Sequence, residues 1–244
     1  GLGYSITAIV GLLVFSNRNS LLHFVRPVCR PQTLGRAVTN GCSEMATALV
    51  NGIITLMFNW TMLKYVGEDG VAAITIISYV LAFAGSLYAG YAYGVAPMLS
   101  FYYGEQNHEK LRKLVRTSLK IIGVIAAATV LVSLAVTEPL VSIFARPGTP
   151  VYDLAVAGNR ICSLALLFVG FNIFASGMFT ALSNGLISAV LAFSRTFVFT
   201  LIAMLVLPVI LGVTGIWLAT PAAELAAVVL SAVMLLKYRR RYCY

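Results

Sequence analysis

An all-α fold that crosses a membrane several times is predicted by three observations on the 244-residue chain. Hydrophobic residues make up 60% of it and mean hydropathy is +0.92. Charged residues make up only 10%, against about a quarter in water-soluble domains, too few to cover a surface of this size in water. The apolar runs are also long and continuous, where a membrane barrel would alternate apolar and polar residues strand by strand. A soluble globular domain is excluded, and helices are the spanning element.

About 20 helical residues cross a hydrocarbon core, and seven runs are expected to do so. They are centred on residues 1–16, 38–63, 71–100, 119–137, 159–182, 186–211 and 214–236. The first begins at Gly1 with no polar flank, so it reads as a true span that has lost its upstream neighbours rather than as a signal peptide, which needs a basic leader. Residues 17–37 form a basic linker, 38–237 a six-helix lobe and 238–244 a basic tail. Between the third and fourth spans, residues 108–120 place Leu111, Leu114, Val115 and Leu119 at helical spacing among basic residues. That segment is expected to lie along the membrane surface before the chain turns inward.

The charges fix an orientation. Of 17 Lys and Arg, 14 fall in segments 17–37 and 101–120, at Lys237 and in the tail that follows it, or at Arg195, and only Lys64, Arg146 and Arg160 fall on the opposite side. This asymmetry puts the C-terminus in the cytoplasm and residue 1 outside. It also explains the net charge of +9 without nucleic acid. Cys29, Cys42, Cys162 and Cys243 have neither metal nor disulfide spacing, and His23 and His108 fall in polar loops.

Of the 25 charges, 22 lie in loops or at span ends, and the three deep inside spans are Glu44, Arg195 and Glu224. A charge at mid-membrane is costly, so it faces a partner, a cavity or an ion path. Asn40, Glu44, Thr47, Asn51 and Thr55 share a stripe about 80° wide at 100° per residue, the pattern of a polar cleft in which a carboxylate holds a cation or exchanges a proton. Glu224 follows Pro221, which deprives the Trp217 carbonyl of its helical donor. Arg195 lies at similar depth in the preceding antiparallel span, and an Arg195–Glu224 ion pair is expected; a direct part in transport is the alternative. Asn172, Ser176 and Thr180 form a second polar stripe, which either faces the first across the bundle or packs against other helices. Gly90 and Gly94 form a GxxxG, which permits close helix approach, and with Pro97, which can break or bend the end of the span, they are read as helix-bending positions, since glycine and proline clustered in one span recur where helices are discontinuous around transporter sites.

With these segments laid out, the chain resembles the C-terminal half of the multidrug and toxic compound extrusion (MATE) family of cation-coupled efflux transporters. The resemblance rests on an ordered set: Gly70-Val71-Ala72-Ala73 leading to Ile76-Ile77-Ser78-Tyr79, Gly90 to Pro97 with Ser100 and Tyr103-Gly104, Gly170-Phe171-Asn172, Ser194-Arg195, Pro208, and Gly215-Ile216-Trp217 with Pro221 and Glu224. It implies that the seven spans correspond to the sixth through twelfth of a twelve-helix, two-lobed transporter, the N-terminal lobe being the missing partner. It further implies alternating access, export of cationic or amphipathic drugs from the cell in exchange for Na⁺ or H⁺, no cofactor beyond the coupling ion, and no enzymatic activity. Glu44 matches the acidic position of the family's seventh helix and is the implied coupling site, the one place for Na⁺. Some members add an Asp in the tenth helix; none occurs here between Arg160 and Asn184. A lipid-linked-precursor flippase of the same wider superfamily is the rival reading, although Arg195 is the only basic residue deep in a span. A seven-helix receptor fits poorly, since the last span has no mid-membrane Lys.

Overall fold

The computed structural model describes residues 2–16, 49–242 and 244, and all regular structure among them is helical. The chain divides into two compact units, Gly1–Ala46 and Thr47–Tyr244. The first contains α1 (Leu2–Ser16), mostly apolar over its 15 residues. The second contains α2 (49–65), α3 (Glu68–Gly104), α4 (His108–Ala135), the short α5 (Thr137–Ser142), α6 (Pro150–Cys162) and α7 (Leu166–Ala181). After these come α8 (Gly185–Phe193), α9 (Thr200–Leu211) and α10 (Val213–Tyr242). A 3₁₀ turn, Ser163–Ala165, joins α6 to α7, and a π-helical turn, Ser194–Phe199, joins α8 to α9.

Five stretches among the described residues are long and apolar enough to cross a bilayer: Glu68–Gly104, His108–Ala135, Pro150–Ala181, Gly185–Leu211 and Val213–Arg239. They coincide with the last five runs expected from the sequence. The expected span over 38–63 is described only from residue 49 onward, where it is helical.

Local chemistry sets the boundaries. Asn107 caps α4 by accepting from the Lys110 amide at 3.1 Å, and Thr149 caps α6 with Pro150 at its first position. Asn184 caps α8 through the Ile187 amide at 3.3 Å, each cap satisfying a donor that the first helical turn leaves free. Gly212, at φ 59°, ends α9 in a backbone conformation that costs a side chain but not glycine.

Two expectations about element ends are corrected. The amphipathic segment 108–120 does not lie apart from the fourth span. It is the first half of α4, with Leu111, Val115, Ser118, Ile122, Ala126, Val130 and Ser133 forming one buried stripe at three- and four-residue spacing. The helix turns nowhere near 120 because that stripe continues uninterrupted. Of the break or bend expected at Pro97, the break does not occur: α3 runs through it as one 37-residue helix.

The interior of the larger unit is three apolar clusters stacked along the bundle. One, built around Met62, Ile77, Ile216 and Trp217, lies at the end where α3 and α10 begin. Tyr88, Leu166 and Val169 fill the middle. The third gathers Leu99, Leu111, Phe174, Phe179 and Tyr242 at the end where α4 begins and α10 finishes. Residues 238–242 of the expected basic tail continue α10, and Tyr242 and Tyr244 are 5% and 7% exposed, packed against the bundle. The Tyr242 hydroxyl accepts from the Asn184 amide at 2.8 Å, and that of Tyr244 donates to the Leu235 carbonyl at 2.9 Å. Burial, with Tyr242 alongside, raises the Tyr244 phenol above its usual range, the Arg239 charge opposing.

Candidate functional site: an intramembrane polar network

The π turn carries Arg195 and α10 carries Glu224. Their side chains meet: Arg195 Nε lies 2.8 Å from Glu224 Oε1 and 2.9 Å from Oε2, with side-chain exposures of 24% and 11%. A third helix completes the arrangement. Asn172 of α7 donates from Nδ2 to Glu224 Oε2 at 2.7 Å and to the Glu224 carbonyl at 3.0 Å, and its own Oδ1 accepts from the Ser231 hydroxyl at 3.0 Å. The carboxylate therefore receives donors from two directions, which is the condition under which a charge taken out of water is tolerated.

The π turn is an adjustment of backbone hydrogen bonding at Arg195. A π turn widens the helix by one residue, and here the Thr200 hydroxyl donates to the Arg195 carbonyl at 3.1 Å. Periodicity gave no sign of it, because one widened turn leaves the apolar pattern of 186–211 intact.

A second polar group lies one to two turns further along α7. The Ser176 hydroxyl reaches the Ser188 carbonyl at 3.2 Å and the Ser188 hydroxyl at 3.0 Å, and Thr180 meets the same Ser188 hydroxyl at 2.7 Å. Asn172, Ser176 and Thr180 thus use one face of α7 to reach α8 and α10. These contacts are of the helix-packing kind, while most of the Asn40–Thr55 stripe that the other alternative would place opposite them lies outside the described residues. Asn40, Glu44 and Thr47 lie outside the described residues. Asn51 is exposed on α2, where its carbonyl accepts the Thr55 hydroxyl at 2.9 Å.

Pro221 lies within the continuous α10, and the carbonyl it orphans has found a donor. Cys162, at the end of α6, gives its thiol to the Trp217 oxygen at 3.3 Å. Sequence reasoning placed the unsatisfied carbonyl correctly and missed its partner, because the residue that supplies it is 55 positions away.

The close approach that the GxxxG permits is not used among the described residues: none of them lies near a Cβ placed at Gly90 or Gly94. Together with Tyr79, Phe83, Pro97 and Phe101 they share the exposed face of α3, while Ala73, Ile77, Ala84, Tyr88, Ala92 and Leu99 make its buried face. The close approaches are elsewhere. A Cβ at Gly158 would sit 2.7 Å from Ile77 and 2.8 Å from the Trp217 ring, and one at Gly170 would sit 2.6 Å from Tyr88 and 2.9 Å from Ile122.

Sequence reasoning also missed a cavity of about 740 Å³ between α2 and α3 at the end opposite the basic one. Trp60, Tyr79 and Phe144 line it with Asn59, Thr75 and Glu68, and Tyr79 stacks on Phe144 with centroids 6.4 Å apart. Lys64 lies over Trp60 at 5.9 Å, as expected for residues at a membrane boundary. Among the described residues no cluster of His, Cys, Asp and Glu could hold a metal ion.

Comparison with solved structures matches this architecture throughout. An inward-facing multidrug resistance MATE family transporter of the MOP superfamily superposes with a TM-score of 0.82 at 20% identity, over 97% of this chain and 54% of that one. A MOP superfamily transporter from Pyrococcus furiosus, described as having a binding pocket of reversed polarity that suggests a different function, gives 0.79 at 19% identity, over 98% and 54%. The bent form of a Vibrio cholerae MATE transporter gives 0.72 at 19% identity, over 85% and 48%. The chain therefore spans about half the length of the structures it resembles. No curated protein matches. The MatE family model matches residues 45–207, well over half of the chain. On that match, and on a helical bundle shared with transporters of known structure, the protein is a multi-pass membrane protein belonging to the MatE family of transporters.

Proposed function

We propose that the chain supplies the C-terminal, ion-coupling lobe of an antiporter that exports cationic or amphipathic compounds in exchange for Na⁺ or H⁺ by alternating access. One observation carries the assignment of roles: the Arg195–Glu224 contact at 2.8 Å. Of the three charges inside spans, these two neutralise each other and are tied further by Asn172. They hold helices together. Glu44 is then the intramembrane charge for which the sequence offers no opposite charge at similar depth, and it lies on a stripe of Asn40, Thr47, Asn51 and Thr55 whose oxygens suit a Na⁺ or a protonated carboxyl. The other half of the cleft belongs to an N-terminal lobe, so the chain alone is expected not to transport. The basic end lies in the cytoplasm of a cell membrane, following the excess of Lys and Arg there.

The test is efflux of a fluorescent cationic dye from cells lacking their own pumps, comparing the full-length protein with its Glu44→Gln variant while Na⁺ and H⁺ gradients are varied separately. Wild type is expected to export and Glu44→Gln to fail at equal membrane abundance, the responsive gradient naming the ion. Equal export by both would make Glu44 structural. Absence of dye export from both would favour movement of a lipid-linked precursor.

A further inference from the structure

At the basic end of the bundle, α4 and α10 leave a cavity of about 250 Å³ between them, lined by Val115, Arg116, Leu119, Leu235, Leu236 and Arg239 and bordered by Tyr244. Its walls divide by chemistry. Leu119, Leu235 and Leu236 present hydrocarbon, and Leu236 is 69% exposed on the outer surface of a span, where acyl chains lie. Arg116 and Arg239 contribute two guanidinium groups, and no acidic side chain is among the lining residues. Among the described residues the salt bridges are Arg160–Glu138 and Arg195–Glu224, and neither arginine of the cavity takes part in one. Arg239 commits its Nε to the Tyr244 carbonyl at 3.3 Å, which fixes the side chain and leaves the terminal nitrogens to another acceptor. On α4, Lys113 and Lys120 fall three and four residues from Arg116 and are exposed on the same side of the helix.

We propose that this cavity is a binding site for one anionic phospholipid, its phosphate held between Arg116 and Arg239 and the start of its acyl chains lying against Leu119, Leu235 and Leu236. Guanidinium groups bind phosphate in a bidentate fork, and basic pockets between spans at the membrane surface select anionic head groups. The apolar half of the cavity distinguishes a lipid from a free phosphate, which has no use for it. Bound there, the lipid joins the start of α4 to the end of α10. The inference needs only the membrane location of the chain and is independent of what is transported.

The test is native mass spectrometry of the full chain in mild detergent, supplied in turn with phosphatidylglycerol, phosphatidylcholine and inorganic phosphate. Wild type is expected to retain one phosphatidylglycerol in preference to phosphatidylcholine. Arg116→Ala/Arg239→Ala should weaken retention about thirtyfold, at about fivefold per cation. Lys110→Ala/Arg112→Ala, which removes the same charge from the same end but outside the cavity, should leave most of it. Should the alanine pair fail to insert, Arg116→Gln/Arg239→Gln keeps side-chain length and carries the same expectation. Equal retention of the two lipids, an equal loss in the Lys110/Arg112 variant, or full displacement by inorganic phosphate would each overturn the proposal.

Discussion

Glu224 accepts from Arg195 and Asn172 at once, so removing its charge and removing its side chain are different experiments. Glu224→Gln retains an oxygen for Asn172 but leaves the Arg195 guanidinium without a counter-charge. It should destabilise the bundle by about 3 kcal/mol, measured as thermal or denaturant unfolding in detergent. Replacing both charged residues with Leu should recover most of that loss, because a partly buried pair is stabilising mainly relative to its half-broken form. A cycle at the Cys162 thiol tests the donor it gives to Trp217. Cys162→Ala should cost about 1 kcal/mol when Pro221 is present and markedly less in a Pro221→Ala background, where the backbone amide returns to the Trp217 carbonyl. Ser118 is the opposite case. Its buried hydroxyl has no partner among the described residues, so Ser118→Ala should leave stability unchanged or raise it by about 1 kcal/mol. At this scale the sequence was legible wherever cost forced an outcome. A lone Arg and a lone Glu at equal depth on antiparallel neighbours have few ways to be compensated, and they meet. The partners Asn172 and Ser231 were not legible, because a single amide or hydroxyl in a span carries no obligation as strong as a charge.

Among the elements, α3 shows why a motif and a packing seam differ. Gly90 and Gly94 have the spacing of a helix contact, but they sit about 200° and 240° around α3 from Tyr88 at helical periodicity, on the face that the described residues leave open. Gly170 and Gly158 have no such spacing and are the positions at which aromatic rings lie against a backbone. Gly170→Ala should therefore cost about 1–3 kcal/mol through displacement of Tyr88, whose hydroxyl is already held by Thr129 and the Leu166 carbonyl. Gly90→Ala should change stability by no more than about 1 kcal/mol, and in the favourable direction. Equal effects in unfolding measurements would mean that the packing of α7 against α3 is looser than these contacts imply. The spans themselves were legible because hydrocarbon thickness dictates length. Their ends were less so: α4 continues through an amphipathic half that reads as a surface helix in isolation, and only the unbroken buried stripe from Leu111 to Ser133 shows it to be one element.

Across the whole molecule, the two ends of the bundle differ in charge as they do in architecture. Lys110, Arg112, Lys113, Arg116, Lys120, Lys237, Arg239 and Arg241 mark one end, while Glu68, Asp69, Glu138 and Asp153 accompany Lys64, Arg146 and Arg160 at the other. If the basic end is cytoplasmic, an epitope following residue 244 should be reached by antibody only after cells are permeabilised. One inserted at Gly148, in the turn before α6, should be reached in intact cells. The reverse pattern would invert the proposed direction of transport. Fold class and family were legible at this scale, since bilayer thickness dictates apolar length and the ordered set of glycines, prolines and charges pointed to the family whose model matches residues 45–207. The 740 Å³ cavity was not, because Trp60, Tyr79 and Phe144 come together from three segments and none has a spacing that announces the others.

The thiol that completes α10 also gives the molecule an internal clock. Cys162 is 1% exposed and faces Trp217 across the seam between α6 and α10, so a small membrane-permeant alkylating reagent can reach it only in the moments when that seam parts. When closing outpaces reaction, the alkylation rate at this residue, followed by peptide mapping, equals the intrinsic thiol rate multiplied by the open fraction. An ion gradient or a transported compound that leaves the rate untouched would show that α6 and α10 travel as one body through the cycle. A change in rate would place the moving joint between them.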